Sequence, residues 1–344
     1  MKQSYAPYFG GAAFMLLLAA LGVLLTVSSC SRKQDAENSV RIFRAATGGM
    51  SAESPAGRGM EVFAQKVSEY TGGAVKIEIF YGSELGSPSE LVTDMMYGAV
   101  DFCVCGDSYY AELAAEIQAY ELPYLFDSLE QARSALSGAS FDRIQKQLKP
   151  SGIQALSFWE IGFRQLTSSV KPIRRASDVR NLKIRCLPAP FQILAWEYAG
   201  AVPAPMDISA LYGALESGQI KGQENPLSEI YTQRLYEVQP YLSITNHVYT
   251  PQLFSCSVQT WNLLTGEERQ AVAQAAHDAQ QAVFAINDTE TKTLLDALRS
   301  EGMEIITDVD TASFKEEMTK THTVFIEKYG RSFLRLLKSP EDCF

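Results

Sequence analysis

Trp159-Glu160-Ile161-Gly162-Phe163-Arg164-Gln165-Leu166-Thr167 opens a stretch that continues through Lys183-Ile184-Arg185 to Gln223-Glu224-Asn225-Pro226. Two arginines and an asparagine stand here among apolar runs. A cation buried in apolar surroundings is costly unless an anion meets it. The stretch therefore reads as one wall of a pocket for a small carboxylate. The rest of the chain then supplies the other wall, the hinge and a tether.

Working outward from this stretch, strands and helices alternate. Upstream, Val40 to Ala45 reads as a strand, and Ser54-Pro55 opens a helix with proline already at helical φ. Met60, Phe63, Val67 and Tyr70 recur at helical spacing until Thr71-Gly72-Gly73 stops them. Val75, Ile77 and Ile79 alternate with Lys76 and Glu78, as in a half-buried strand. Ser89 is expected to cap a short helix ending at Gly98, and Asp101 to Cys105 a buried strand whose loop is Gly106-Asp107-Ser108. Ser128 and Gln131 form a capping pattern, Phe141, Ile144 and Leu148 mark the next helix, and Ile153 to Trp159 the next strand.

Downstream, Leu182 to Leu187 is a strand carrying Arg185, and Pro190 to Tyr198 a helix ended by Gly200. Asp207 is expected to cap a helix lined by Ile208, Leu211, Tyr212 and Leu215, and Asn225 to cap another reaching about Val238. Tyr241 to Thr245 and Gln252 to Val258 are strands. Thr265 and Glu268 form a capping box, and the helix behind it runs unbroken to Arg299, long enough to brace two lobes. This alternation predicts open α/β sheets. No long Ser/Gly/Pro linker separates two halves, so the lobes interweave. Residues 40–161 with 251–290 are assigned to lobe I, and 162–250 with 291–344 to lobe II.

Composition narrows the function. The 344 residues are 46% hydrophobic and 20% charged, ordinary for a globular chain of about two domains. The net charge of −10 gives no basic face for nucleic acid, and no nucleic-acid partner is expected. Residues 1–29 read as a signal peptide, with Lys2 and an apolar core from Ala12 to Val27. Val27-Ser28-Ser29-Cys30 resembles a bacterial lipobox, which makes Cys30 the expected lipidation site, residues 30–39 a tether and a membrane the anchorage. Cys103, Cys105, Cys186 and Cys256 sit in apolar strands and read as small buried hydrophobes.

Catalytic and metal signatures are missing. His247, His277 and His322 fit no metal spacing, and His277 and His322 are expected on exposed helix faces. No GxSxG, Walker loop or GxGxxG occurs, and no nucleophile, base and orienter can be assembled. A binding protein without metal or cofactor is expected, not an enzyme.

The ordered motifs are specific as a set. Trp159 to Thr167 is followed by Lys171-Pro172-Ile173, Asp178, Leu182-Lys183-Ile184-Arg185, Leu211-Tyr212-Gly213-Ala214-Leu215 and Gly222-Gln223-Glu224-Asn225-Pro226. Tyr236-Glu237-Val238-Gln239 and Thr245-Asn246-His247 extend the set, and Leu85-Gly86 and Gly98-Ala99-Val100-Asp101 carry it into the first lobe. Essentially the whole mature chain resembles the solute-binding proteins of tripartite ATP-independent periplasmic (TRAP) transporters, DctP type. The resemblance implies a two-lobe periplasmic-binding-protein-like (type II) fold with crossing strands and a long brace helix. It implies a periplasmic receptor that closes on a small organic acid and hands it to small and large membrane permease subunits. A sensor-kinase receptor on the same fold is the alternative. By resemblance, Arg185 is the main carboxylate-binding arginine, Arg164 the second cation and Asn225 a neutral donor. Glu84, Asp107 and Ser108 are the polar candidates from the first lobe. Lys221, Ile161, Ile208 and Gly106 depart from frequent family residues and point away from a sialate-like ligand. C4-dicarboxylates, hydroxy or keto acids and sugar acids stay open.

Overall fold

The computed structural model describes Met1 and residues 40–338, so the expected leader, the tether and Cys30 lie outside the described residues. Eleven strands occur among the described residues: β1 (Arg41–Thr47), β2 (Val75–Phe80), β3 (Phe102–Gly106), β4 (Ile153–Phe163), β5 (Gln165–Ser168), β6 (Lys183–Cys186), β7 (Val202–Pro205), β8 (Gly222–Asn225), β9 (Tyr241–Ser243), β10 (Tyr249–Ser257) and β11 (Glu304–Ile306). They form two mixed sheets, ordered β2-β1-β3-β10-β4 and β11-β9-β5-β8-β6-β7. In the first, β1 runs parallel to β3, and β10 lies antiparallel between β3 and β4. In the second, β6 is parallel to both β7 and β8, and β5 is antiparallel to β8 and β9.

Each sheet is covered on both faces, which explains why Phe102–Gly106 is continuously buried with no polar alternation. On one face of the first sheet Phe63, Phe102, Trp159 and Phe254 pack with Val272, Ala276 and Val283. On the other, Tyr120, Ile144 and Phe158 pack with Phe325, Phe333 and Leu334 near the chain's end. Ile184, Cys186 and Trp196 fill one core of the second sheet, and Leu215, Ile230 and Leu242 the other. Cys103, Cys105, Cys186 and Cys256 are free and buried in these cores, as small hydrophobes.

The sheets are joined by crossing strands. β4 ends at Phe163 and β5 begins at Gln165, so Arg164 alone lies between them. The return crossing runs from β9 into β10. Just before the first crossing Gly162 pairs with Thr250 and Glu160 with Pro251, which leaves Ile161 bulged out. Such a bulge bends its strand and re-aims the neighbouring side chains. Gly162 has a φ of 108° with nothing within 4 Å of an added Cβ. Backbone conformation, not space, therefore requires glycine there.

The helix Gly266–Ser300 is 35 residues long and starts with the expected Thr265–Glu268 capping box. At 1.5 Å per residue it spans about 50 Å. Its Val272, Ala275 and Ala279 belong to a core of the first sheet, and its Leu298 to a core of the second. One rigid element thus serves both halves.

Some local expectations are corrected. Ser87, not Ser89, caps Pro88–Met96, because Pro88 takes the first helical position and Glu90 completes a capping box with Ser87. Asp207 makes no cap bond and accepts instead from Ser89 Oγ at 3.1 Å. Asn225 caps nothing; its side chain is spent in the site described below, and the helix behind it runs only over Leu227–Thr232. His322 is buried, not exposed, with Nε2 at 2.7 Å from the Pro123 carbonyl.

Candidate ligand-binding site

Arg164 sits at the crossing because its backbone is fixed there, with its N–H donating to Val248 O at 2.8 Å. Its side chain is 1% exposed and turns onto β8. Nε donates to Glu224 Oε2, and Nη2 donates to Glu224 Oε1 and Asn225 Oδ1, each at 3.0 Å. Nη1 donates to Thr250 Oγ1 at 3.3 Å. His247 Nε2 lies 3.0 Å from Glu224 Oε2, and its Nδ1 is 2.8 Å from Thr245 Oγ1. Burial acts to raise the Glu224 carboxyl, but Arg164 and His247 outweigh it and hold it below the ordinary value. Burial lowers His247, so the neutral ring is favoured and Glu224 remains the partner of Arg164. Arg164 is therefore a buried ion pair, with all three guanidinium nitrogens engaged.

Arg185 differs in the one respect that matters. It lies on β6, paired with Gln223 on one side and Ala204 on the other, and is 0% exposed. Its Nε donates to Met206 O at 3.0 Å, while Nη1 and Nη2 have no partner. Burial pulls the guanidinium below its ordinary value; Tyr109 and Glu224 oppose this and Arg164 adds to it. A buried cation with two unmet donors is unfavourable by several kcal/mol. An arriving carboxylate offsets that through two parallel bonds. Asn225 flanks the position: Oδ1 is taken by Arg164 and one Nδ2–H by Gln223 Oε1 at 2.6 Å, which leaves one amide hydrogen to donate.

The first sheet contributes a wall of opposite character. After β3 the chain enters a short turn, Asp107–Tyr110, that buries Asp107 completely. No ordinary donor meets the Asp107 carboxyl oxygens, and their side-chain partner is the Glu121 carboxyl, which only a shared proton can bridge; the Ser108 and Tyr109 hydroxyls are also unmet. Glu121, equally buried, accepts from Gln192 Nε2 with one oxygen, and its other oxygen is unmatched. Burial, then Glu121, raises the Asp107 carboxyl well above the usual range, and burial raises Glu121. Glu84 does not join them. It is exposed in the turn after β2.

Between the walls lies a cavity of about 30 Å³, lined by Arg164, Asn225, Glu229, Tyr109, Ile208 and Gln252 among others. Leu187, one residue past the end of β6, also lines it. The space holds a water or two. Contacts across the cleft keep it small: Gln233 Nε2 donates to Gly49 O at 2.9 Å, and Ser89 to Asp207. Gly49 has a φ of 81°, and a Cβ there would stand 2.4 Å from Ile208 Cγ2. The halves meet closely only because that side chain is missing.

Glu229 has an unmatched oxygen in the same cavity. Burial pushes its carboxyl up to about 7, against Gln233, Arg164 and Arg185, which pull it down. The folded value lies above the ordinary 4.5, so the folded protein holds this proton more tightly than the unfolded chain. Stability present below 4.5 is lost as pH rises to about 7, by at most about 3 kcal/mol. Asp107 and Glu121 act in the same sense and Glu224 in the opposite one, so the comparison must be with a variant. Thermal melts from pH 5 to 8 should show a shallower decline for Glu229→Gln than for the parent; equal slopes would exclude this coupling.

The sequence reading missed Glu121, Gln192 and Glu229 and left Glu224 without a role. Glu121 carries a faint signal, a lone carboxylate between Tyr120 and Leu122-Pro123. Glu229 sits in the first turn of a helix, where an acid is ordinary.

The family model for bacterial extracellular solute-binding proteins, family 7 (DctP), matches residues 47–328. The chain is 29% identical over 256 residues to the 2,3-diketo-L-gulonate-binding periplasmic protein YiaO of Escherichia coli, covering 74% of this chain and 78% of that one. It is 26% identical over 291 residues to the C4-dicarboxylate-binding periplasmic protein DctP of Rhodobacter capsulatus, covering 83% and 87%. A TRAP periplasmic solute-binding protein from Polaromonas sp. JS666, solved bound to D-erythronate, superposes with a TM-score of 0.84 at 27% identity, covering 86% of this chain and 97% of that one. With a match across most of its length and the same two-lobe fold, the chain belongs to the DctP family of bacterial extracellular solute-binding proteins.

Proposed function

We propose that the protein is the extracytoplasmic receptor of a TRAP transporter, and that it captures a small organic acid by its carboxylate at Arg185. The observation that carries this is the fully buried Arg185 guanidinium with two unmatched N–H groups, on a strand paired with β8, which carries the cavity-lining Asn225. The named relatives bind a diketo sugar acid, C4-dicarboxylates and D-erythronate, all small carboxylates. Asn225 adds a donor beside Arg185, while Arg164 acts through Glu224 and Asn225 as the positioning group of the crossing.

The lobes, 40–161 with 251–290 and 162–250 with 291–344, close by rotation about the crossings at Gly162 and residues 244–248. The ligand drives closure only through contacts that are better in the closed state. The closed form is presented to small and large permease subunits. Cys30 carries a lipid anchor at the periplasmic face of a membrane. The match to solute-binding proteins supports capture and release without a chemical step, so no enzyme activity is proposed.

Thermal-shift measurements with four- to six-carbon carboxylates and the matching neutral sugars test this. Bound acids should raise the melting temperature by mass action, and neutral sugars should not. Equal shifts from neutral sugars, or none from any acid, would contradict the reading.

A further inference from the structure

Beside the small cavity lies a much larger groove, of about 800 Å³. Val92 and Met96 of the helix Pro88–Met96 line it from the first half, and Pro188 and Pro190 from the second. Tyr109 lines both spaces. Opposite it Leu187 lines the cavity, and its neighbour Pro188 lines the groove. The partition between the two spaces is therefore one side chain thick on each half of the molecule. Tyr109 is its aromatic part.

No polar anchor holds that ring in place. Its hydroxyl is buried yet has no hydrogen-bond partner. A Cβ added to Gly106 would stand 3.6 Å from Tyr109 Cδ2 and Cε2, an ordinary van der Waals contact. A change of rotamer therefore breaks no hydrogen bond, and the groove gives the ring space to turn into. Burial raises the phenol and Arg185 opposes this, which sets the ring near the guanidinium that awaits a carboxylate. The groove also carries polar atoms with nothing to meet. Ser108 Oγ and Gln118 Oε1 lie on side chains 3% and 4% exposed, and neither has a partner. Such atoms are costly until a polar solute or water matches them. Lys328 adds a cation to the same lining.

Resting on the receptor reading above, we infer that the groove is a side entrance to the ligand cavity and that Tyr109 is its gate, so that a small carboxylate exchanges past Tyr109 while the lobes stay closed. Ser108 and Lys328 meet the acid in the groove, and the turn of the ring lets it through to Arg185. A gate lowers the barrier in both directions alike. It therefore changes uptake and release together, whereas loss of a contact to the bound acid changes mainly release.

Joining the lobes covalently tests this. Ser89 Oγ and Asp207 Oδ1 face each other across the cleft at 3.1 Å. Ser89→Cys with Asp207→Cys closes them on oxidation, and a short bis-maleimide does so where no disulfide forms. The full-length protein is loaded with radiolabelled succinate, malate or D-erythronate, locked, and chased with unlabelled acid. The locked protein should release its label without reduction. Tyr109→Ala should speed both release and uptake by the locked protein about tenfold or more, and Tyr109→Trp should slow both. Circular dichroism checks folding, and Tyr109→Leu carries the test if the alanine variant does not fold. Label retained by the locked protein until dithiothreitol frees the lobes, or a locked rate unmoved by Tyr109→Ala, would overturn this inference and leave the receptor reading intact. Failure of all three acids to bind before locking would overturn both.

Discussion

Arg185→Leu should lose ligand affinity by roughly 30-fold to several thousand-fold, the 2–5 kcal/mol typical of removing one partner of a buried charge pair. The unliganded protein should become more stable at the same time. The arginine offers two buried donors that nothing in the protein accepts, and a well-packed apolar side chain removes that penalty; comparable replacements gain about 1–4 kcal/mol. Opposite signs for binding and stability are what separate a ligand-binding residue from a structural one. Arg185→Lys restores charge but not the planar fork, so it should recover affinity only in part. Calorimetry and thermal melts of the same preparations read both effects. A leucine variant that melts lower and binds unchanged would make Arg185 structural.

The second large effect lies one strand away and has the other signature. Glu224→Ala strands the Arg164 guanidinium in the crossing and deprives His247 of its partner. Removing one member of a buried pair costs about 3–5 kcal/mol. Glu224 is held below its ordinary value, so its contribution is present above about pH 4.5 and lost as pH falls through the lowered folded value. Glu224→Ala should therefore unfold at lower denaturant concentration at pH 7, with a smaller difference from the parent in acid. The double replacement Arg164→Met with Glu224→Leu should cost less than the two single changes added, because contacting residues couple. Strict additivity would mean that the pair is not the unit described.

The two arginines also show how far the sequence could be read. Both stand in apolar runs, and the resemblance of the surrounding motifs implied a carboxylate role for both. Nothing in one dimension tells which is already neutralised, since Glu224 lies 60 positions from Arg164 and meets it only when β5 pairs with β8. The strands and the brace helix were legible because their signals are local: alternation, capping boxes and an unbroken helical run. Caps were misplaced where two candidates competed, as with Ser87 and Ser89, or where a tertiary partner claimed the side chain, as Arg164 claims Asn225. Asp107 and Ser108 could be proposed because they follow a buried strand. Glu84 could be proposed in the same way, but its turn faces solvent. Glu121, Gln192 and Glu229 become site residues only through burial, which a lone acid in a loop or a first helical turn does not announce.

A crystal structure of the protein closed on its acid tests the central claim most directly. The ligand carboxylate should lie within hydrogen-bond distance of Arg185 Nη1 and Nη2, with Arg164 still paired to Glu224. A carboxylate held elsewhere, with Arg185 bound to one of the protein's own acid groups, would contradict it.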